Sequence, residues 1–383
     1  MKRIYVDHAA STPVHPEVAQ VMMDIMTGQF GNASSVHAFG RAAKRTVSEA
    51  RDVVAASLGC LPEELIFTSG GTESDNLALF GAAFAKGRKN GHIITTAIEH
   101  HAVLHSCSEL EHLGYEVTYV PVDHTGRVLP EEIEAAIRPD TFLISMMYAN
   151  NEVGTVQPVA QIGELAQSRG ILFHVDAVQA LGALPISCRD LPVDLLSVSA
   201  HKINGPQGVG ALYIRRGTAI QPRLYGGLQE KQRRAGTENM AGIAGFAKAA
   251  TIATASVHGR RAHDLSLRST LLNGLEERLG SDGFTLNGSS EHFLPHIVNL
   301  SFPGCGTETM LMNLDMEGIA AASGSACTSG SIELSHVLEA MNLPEDVLRS
   351  AIRFSFGLGN TTKEMEYVAE KIATIAKRLR NRH

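Results

Sequence analysis

From about residue 41 the chain alternates short apolar runs with segments of helical period, and this alternation limits the fold more than any other feature. The runs are ELIFTS, HIITTA, EVTYVPV, TFLISMM, ILFHV and LLSVS. Helical segments such as HAVLHSCSELEHLG, PEEIEAAIR and VAQIGELAQSRG separate most of them. Near-continuous apolar strands joined by helices predict a mostly parallel sheet with both faces covered. VGALYIRR reads as a strand returning after a short Gly-Pro turn, which brings the predicted strands to about seven. GRAAKRTVSEARDVVAASLG puts Val47, Ala50, Val54 and Leu58 on one helical face and stops at Gly59.

The rhythm changes near residue 258. A polar helix is expected over 259–279, then HIVNLSF, a helix at TETMLMNL, a Gly/Ser-rich loop, the strand AIRFSFG and a last helix. The expected division is a large α/β domain over 15–258 and a smaller α+β domain made of 1–14 and 259–383. A chain of 383 residues has room for both cores. The formal charge of −7 lacks the basic footprint of a nucleic-acid binder. The basic KRLRNRH ends a helical pattern and suits the negative end of that helix. MKRIYVDHAASTP has no apolar signal region. The most apolar stretch, MAGIAGFAKAATIATASV, contains Lys248 and reads as a buried helix, so no membrane span is expected. The five cysteines are scattered, without CxxC, which suits a reducing, cytoplasmic setting.

Chemistry gathers where the apolar runs end. ILFHVDAVQA delivers Asp176 and Gln179, and DLLSVSAHK delivers Ser199, His201 and Lys202. Ligands of parallel sheets sit beyond the carboxyl ends of the strands. An acid and a lysine brought there together are the pair that pyridoxal 5'-phosphate (PLP) requires: an amine for the Schiff base and a carboxylate for the pyridinium nitrogen. FTSGGTESDN follows a strand and opens a helix. Gly70 and Gly71 permit close backbone approach, the helix start favours an anion, and Thr72 adds a hydroxyl. A plain glycine turn with Thr72 as cap of a Thr-x-x-Asp pattern accounts for it equally well. GxxxxGK[ST] and GxGxxG are absent, which argues against ATP and dinucleotides. His100 and His101 follow a strand and start a helix; a histidine there can stack on a flat ring or move protons. His101 and His105 stand one turn apart, but no HExxH or cysteine pair supports a metal site, and none is expected. Asn150, Asn151 and Gln179 are candidate donors to a cofactor's phenolic oxygen.

AAASGSACTSGS surrounds Cys327 with small residues, a composition that predicts a mobile loop and an exposed, reactive thiol. Cys305, in FPGCGTE, has a similar glycine setting and is its main rival. Cys60, Cys107 and Cys188 read as packing residues.

Taken together, YVDHAASTP, FGNASSVH, FTSGGTESDN, AIEHHAVL, YANNEVG, FHVDAVQ, SVSAHKINGPQGVG, RAGTEN, SGSACTSG and IRFSFG resemble the cysteine desulfurases of the NifS/IscS type, in the class-V aminotransferase family. The motifs run from residue 5 to residue 357. The resemblance implies a type I PLP-dependent transferase fold, a homodimer, and conversion of L-cysteine to L-alanine with transfer of sulfur. It implies Lys202 as the Schiff-base lysine, Asp176 as pyridinium partner and His100 as the ring-stacking residue. Gly71, Thr72, Ser199 and His201 are then phosphate contacts, and Thr237 reaches the phosphate of the other subunit. Asn150 and Gln179 are implied at the phenolic oxygen, Arg353 at the substrate carboxylate, and Cys327 as persulfide carrier. The long SGSACTS loop is similar to that of the first desulfurase subgroup. The longer C-terminal tail with which IscS-type members dock scaffold partners has no match here, which leaves the acceptor open: an iron–sulfur scaffold or a thiolation protein. An aminotransferase or selenocysteine lyase is the nearest alternative. A non-catalytic sulfur relay and a nicotinamide dehydrogenase are further off, the latter lacking its glycines.

Overall fold

The apolar runs become the strands of one seven-stranded sheet. The computed structural model describes residues 3–85, 89–324 and 334–381. In chain order it forms β1 (Ile4–Tyr5), α1 (Pro16–Gly28), α2 (Ala38–Ser57), β2 (Leu65–Thr68), α3 (Gly71–Ala83), β3 (His92–Thr96), α4 (His101–His112) and β4 (Glu116–Val120). Then come α5 (Pro130–Ala136), β5 (Thr141–Met147), α6 (Val159–Ser168), β6 (Leu172–Asp176), β7 (Leu195–Ser199), β8 (Gly210–Ile214) and α7 (Met240–Leu279). The last elements are β9 (Thr285–Asn287), β10 (Ile297–Ser301), α8 (Thr307–Met316), β11 (Ile319–Ala320), α9 (His336–Ala340), α10 (Glu345–Leu348), β12 (Ala351–Ser355) and α11 (Thr362–Arg380).

The large sheet has the order β2-β8-β7-β6-β5-β3-β4. Only β8 runs antiparallel to its neighbours, as expected of a returning strand. The other six strands therefore present their carboxyl ends at one edge. Side chains alternate faces along each strand. Phe67, Ile94, Phe173, Val175 and Val198 pack under α1, α2, α6 and the start of α7. Ile66, Ile93, Leu143 and Leu195 pack under α3 and α4. A second core joins Ile4 and Val6 to β10, β12, α8 and α11. Its sheet is antiparallel, β12-β10-β9, and β1 pairs in parallel with β11.

The helix expected over 259–279 is not a separate element: it continues the buried helix before it as α7, 40 residues running through Gly259. A glycine inside a helix costs ~1 kcal/mol relative to alanine. Burial offsets that cost at both ends. Ile243, Phe246 and Ala250 lie in the first core, and Leu267, Leu271 and Leu275 lie in the second. Each buried leucine contributes ~1.5–3 kcal/mol.

Strand β8 crosses directly beneath the loop that starts α3. A Cβ on Gly210 would lie 2.8 Å from Gly70 Cα and 2.6 Å from the Val198 carbonyl oxygen. Both are backbone atoms and cannot turn aside. Gly210→Ala is therefore expected to lower stability by ~1–3 kcal/mol, read as an earlier denaturation midpoint. An unchanged midpoint would contradict the close approach.

Candidate active site

Strand β2 delivers the chain to Gly70, whose φ of 155° lies in the region that favours glycine. Helix α3 starts at the next residue, and no side chain caps it. Thr72 thus sits inside the first turn and is not the expected cap. Asp75, expected to close that capping pattern, is instead turned onto the sheet and is only 1% exposed. Glu73 closes the preceding turn by accepting the Ser69 N–H at 2.6 Å.

The uncapped start of α3 faces a cavity of about 600 Å³ at the carboxyl edge of the sheet. Gly71, Thr72, His100, Asp176, Gln179, Ser199, His201, Lys202 and Arg353 all line it, as the sequence predicts. Two predicted residues do not. Asn150 is fully buried, and its carboxamide is spent on its own turn. Its oxygen accepts the N–H groups of Glu152 and Val153 at 2.8 and 2.9 Å, and its nitrogen donates to the Ile98 carbonyl at 3.1 Å. Asn151 lines the cavity in its place. Thr237, expected at the phosphate of the other subunit and not of its own, lies apart, beside Met26 and Phe30. Cys327 is outside the described residues. Its rival Cys305 is 2% exposed, and its thiol contacts the Ala376 carbonyl at 3.7 Å.

Charge is arranged in depth. Asp176 accepts the Val178 N–H at 2.9 Å, and burial raises its carboxyl to about 6, against the lowering pull of that bond and of Lys202. Burial pushes Asp75 well above the usual carboxylate range, reinforced by the charge of Asp176. Of the two carboxyls, Asp75 is thus the one whose proton is held more firmly. The His174 ring lies 3.6 Å from Asp75, between the Ser145 and Ser197 hydroxyls at 2.8 and 3.0 Å. Burial holds that ring neutral, at about 3.

Lys202 donates to the carbonyl oxygens of Ala9 (2.5 Å) and Ala10 (2.9 Å). Burial lowers its ammonium to about 8, and the Arg353 cation adds to this. That brings a free amine within reach of physiological pH. His100 is the N-cap of α4 and a cavity residue at once. Its Nδ1 accepts the Ala102 N–H at 3.1 Å, which leaves Nε2 to carry the proton of the neutral ring. Burial, then Lys202, lowers it to about 4. Arg353 donates through Nη2 to Asp7 at 2.7 Å and through Nη1 to the Asn151 carbonyl at 3.1 Å.

Sequence reasoning missed Asp7, Asp75 and the backbone of Ala9 and Ala10. Asp75 was concealed by a capping pattern, and DHAA carries no local signal for a site in the middle of the chain.

The residues present fit PLP. The Ser199 hydroxyl is buried in the cavity wall without a partner among the described residues, beside the uncapped start of α3. A phosphate would satisfy both. Asp176 and Lys202 share the remaining cavity, and its volume suits a cofactor together with a small substrate.

A model of the class-V aminotransferases matches residues 4–368 of this chain. The chain belongs to the class-V aminotransferase family. Among its relatives in that family is a cysteine desulfurase IscS of Methanosarcina thermophila, 48% identical over 380 residues, 99% of this chain and 93% of the relative. A solved NifS-like protein superposes with a TM-score of 0.92 at 39% identity, over 98% of this chain and all of its own. A structure described as SspA in complex with cysteine gives 0.82 at 36% identity, covering 93% and 99%. Among class-V aminotransferases, then, this chain stands with the cysteine desulfurases.

Proposed function

We propose that the chain is a PLP-dependent cysteine desulfurase that converts L-cysteine to L-alanine and passes the sulfur to the Cys327 thiol, and from there to an acceptor protein. The observation that carries this reading is the meeting of Lys202, Asp176 and Arg353 in one cavity beside the uncapped start of α3.

Bound PLP would supply an electron sink for the substrate's α-carbon. Gly71, Thr72, Ser199 and His201 would hold its phosphate. Asp176 would supply the negative charge that a pyridinium nitrogen needs, and Gln179 and Asn151, which line the same cavity, would be the polar side chains left to its ring oxygen. The Lys202 amine would anchor the cofactor and would be the base that takes the substrate's α-proton. Arg353 holds the substrate carboxylate. The protonated Nε2 of His100 serves proton movement near the substrate sulfur. The Cys327 thiolate attacks that sulfur. An S–S bond forms and the carbon–sulfur bond breaks. The electron pair stays on carbon, which takes a proton to become the methyl group of alanine.

A second copy of the chain completes the site in this reading. Thr237 does not reach its own cavity, and beside it Met26 and Phe30 are 62% and 76% exposed. A homodimer would cover this apolar face and bring Thr237 to the partner's phosphate.

The test is to incubate the PLP-loaded protein with L-cysteine, follow alanine, and weigh the Cys327 peptide. Alanine release with one added sulfur atom on that peptide is expected. Absence of alanine would overturn the proposal.

A further inference from the structure

Arg353 has a side chain only 5% exposed. A guanidinium so placed needs a counter-charge at all times, because a buried charge without a partner is strongly destabilising. Asp7 supplies one. Its backbone is held against β12 by a bridge to Ser355, two residues from Arg353 and on the same side of the strand. The contact between them is single-pronged: Asp7 Oδ1 accepts from Nη2 at 2.7 Å. Nη1 donates to the Asn151 carbonyl, and Nε has no partner among the described residues. A guanidinium offers five donors and binds a carboxylate best through two parallel bonds. Asp7 thus occupies Arg353 without using its strongest mode. The Asp7 side chain is 22% exposed and lines the cavity with Arg353, so its carboxylate has water to turn to when released.

We infer that Asp7 is an internal stand-in for the substrate carboxylate: it pairs with Arg353 before substrate arrives and yields the guanidinium to the incoming carboxylate. Asp7 is then an affinity-setting residue. Each binding event exchanges one carboxylate partner of Arg353 for another, which holds substrate affinity below what Arg353 alone would give. The inference rests on Arg353 holding the substrate carboxylate, and the two ideas separate experimentally.

The experiment compares the PLP-loaded wild type with Asp7→Asn and Asp7→Ser. It measures KM for L-cysteine, the inhibition constant of propionate (a carboxylate with no amine), and the melting temperature with and without propionate. Removing the competing charge is expected to lower both KM and the propionate constant about tenfold, the order of one charge-assisted hydrogen bond that no longer has to be exchanged. The change in KM should exceed the change in kcat. Both variants should melt below the wild type, and propionate should raise their melting temperatures more than it raises that of the wild type. A KM and a propionate constant that rise or stay the same in both variants would overturn the inference, because Asp7 would then only steady Arg353. Arg353→Gln tests the underlying reading separately. Unchanged KM and propionate binding in that variant would remove Arg353 from the carboxylate site, whatever Asp7 does.

Discussion

Lys202→Ala is expected to abolish covalent attachment of the cofactor and to lower alanine formation by roughly 10²–10⁴-fold, the range for loss of a positioned acid–base group. In the proposed mechanism the residue does two tasks that no neighbour can share. His100 and His201, which share the cavity wall, are imidazoles rather than primary amines, and burial lowers both to about 4. Burial and the Arg353 cation bring the lysine to about 8, so its amine is available near neutral pH. The fold itself should survive. The two carbonyls that Lys202 engages, on Ala9 and Ala10, lie at the cavity, where water can replace it. A lost hydrogen bond of this kind costs ~1 kcal/mol. Borohydride treatment followed by peptide mass spectrometry should fix the cofactor to the Lys202 peptide in the wild type and to none in the variant. A variant that turns over at the wild-type rate would remove Lys202 from the mechanism.

Cys327→Ala is expected to lower alanine formation by roughly 10²-fold or more, the scale of losing a catalytic group, while cofactor attachment at Lys202 persists. The four remaining cysteines make this prediction sharp. The thiolate is the nucleophile, and burial disfavours it. Cys107, Cys188 and Cys305 are buried, and burial raises the thiol of each. Burial, with the nearby Glu64 charge, pushes Cys60 up to about 12. None of the four lines the cavity that holds Lys202. No second thiol is therefore available to take the sulfur, and the added sulfur atom should disappear from every peptide of the variant. Undiminished turnover would transfer the carrier role away from Cys327.

Much of the fold was legible because its signals are local. A strand buried on both faces must be apolar along its whole length, so its polar end marks the edge of the sheet. That is why Asp176, Ser199 and Lys202 could be assigned to one crevice from β6 and β7 alone. A pair of glycines between a strand and a helix likewise marks a close approach without any knowledge of the partner. The continuity of α7 was not legible, because Gly259 and the polar stretch after it look like a stop. Only the two cores that the helix bridges hold it together.

The sequence by itself determined the sheet, the edge at which chemistry gathers, and most of the side chains in the cavity, since each follows from composition and spacing within one segment. Tertiary structure decided the choices between neighbours and the contacts between distant segments. A tight turn spends Asn150 on its own backbone and leaves Asn151 to the cavity. The early start of α3 turns Asp75 onto the sheet beside Asp176. Asp7 and Arg353 meet across a separation of 346 residues. Local pattern encodes where a chain is buried, but the direction of a turn and the partner of a buried charge depend on atoms that only folding brings near.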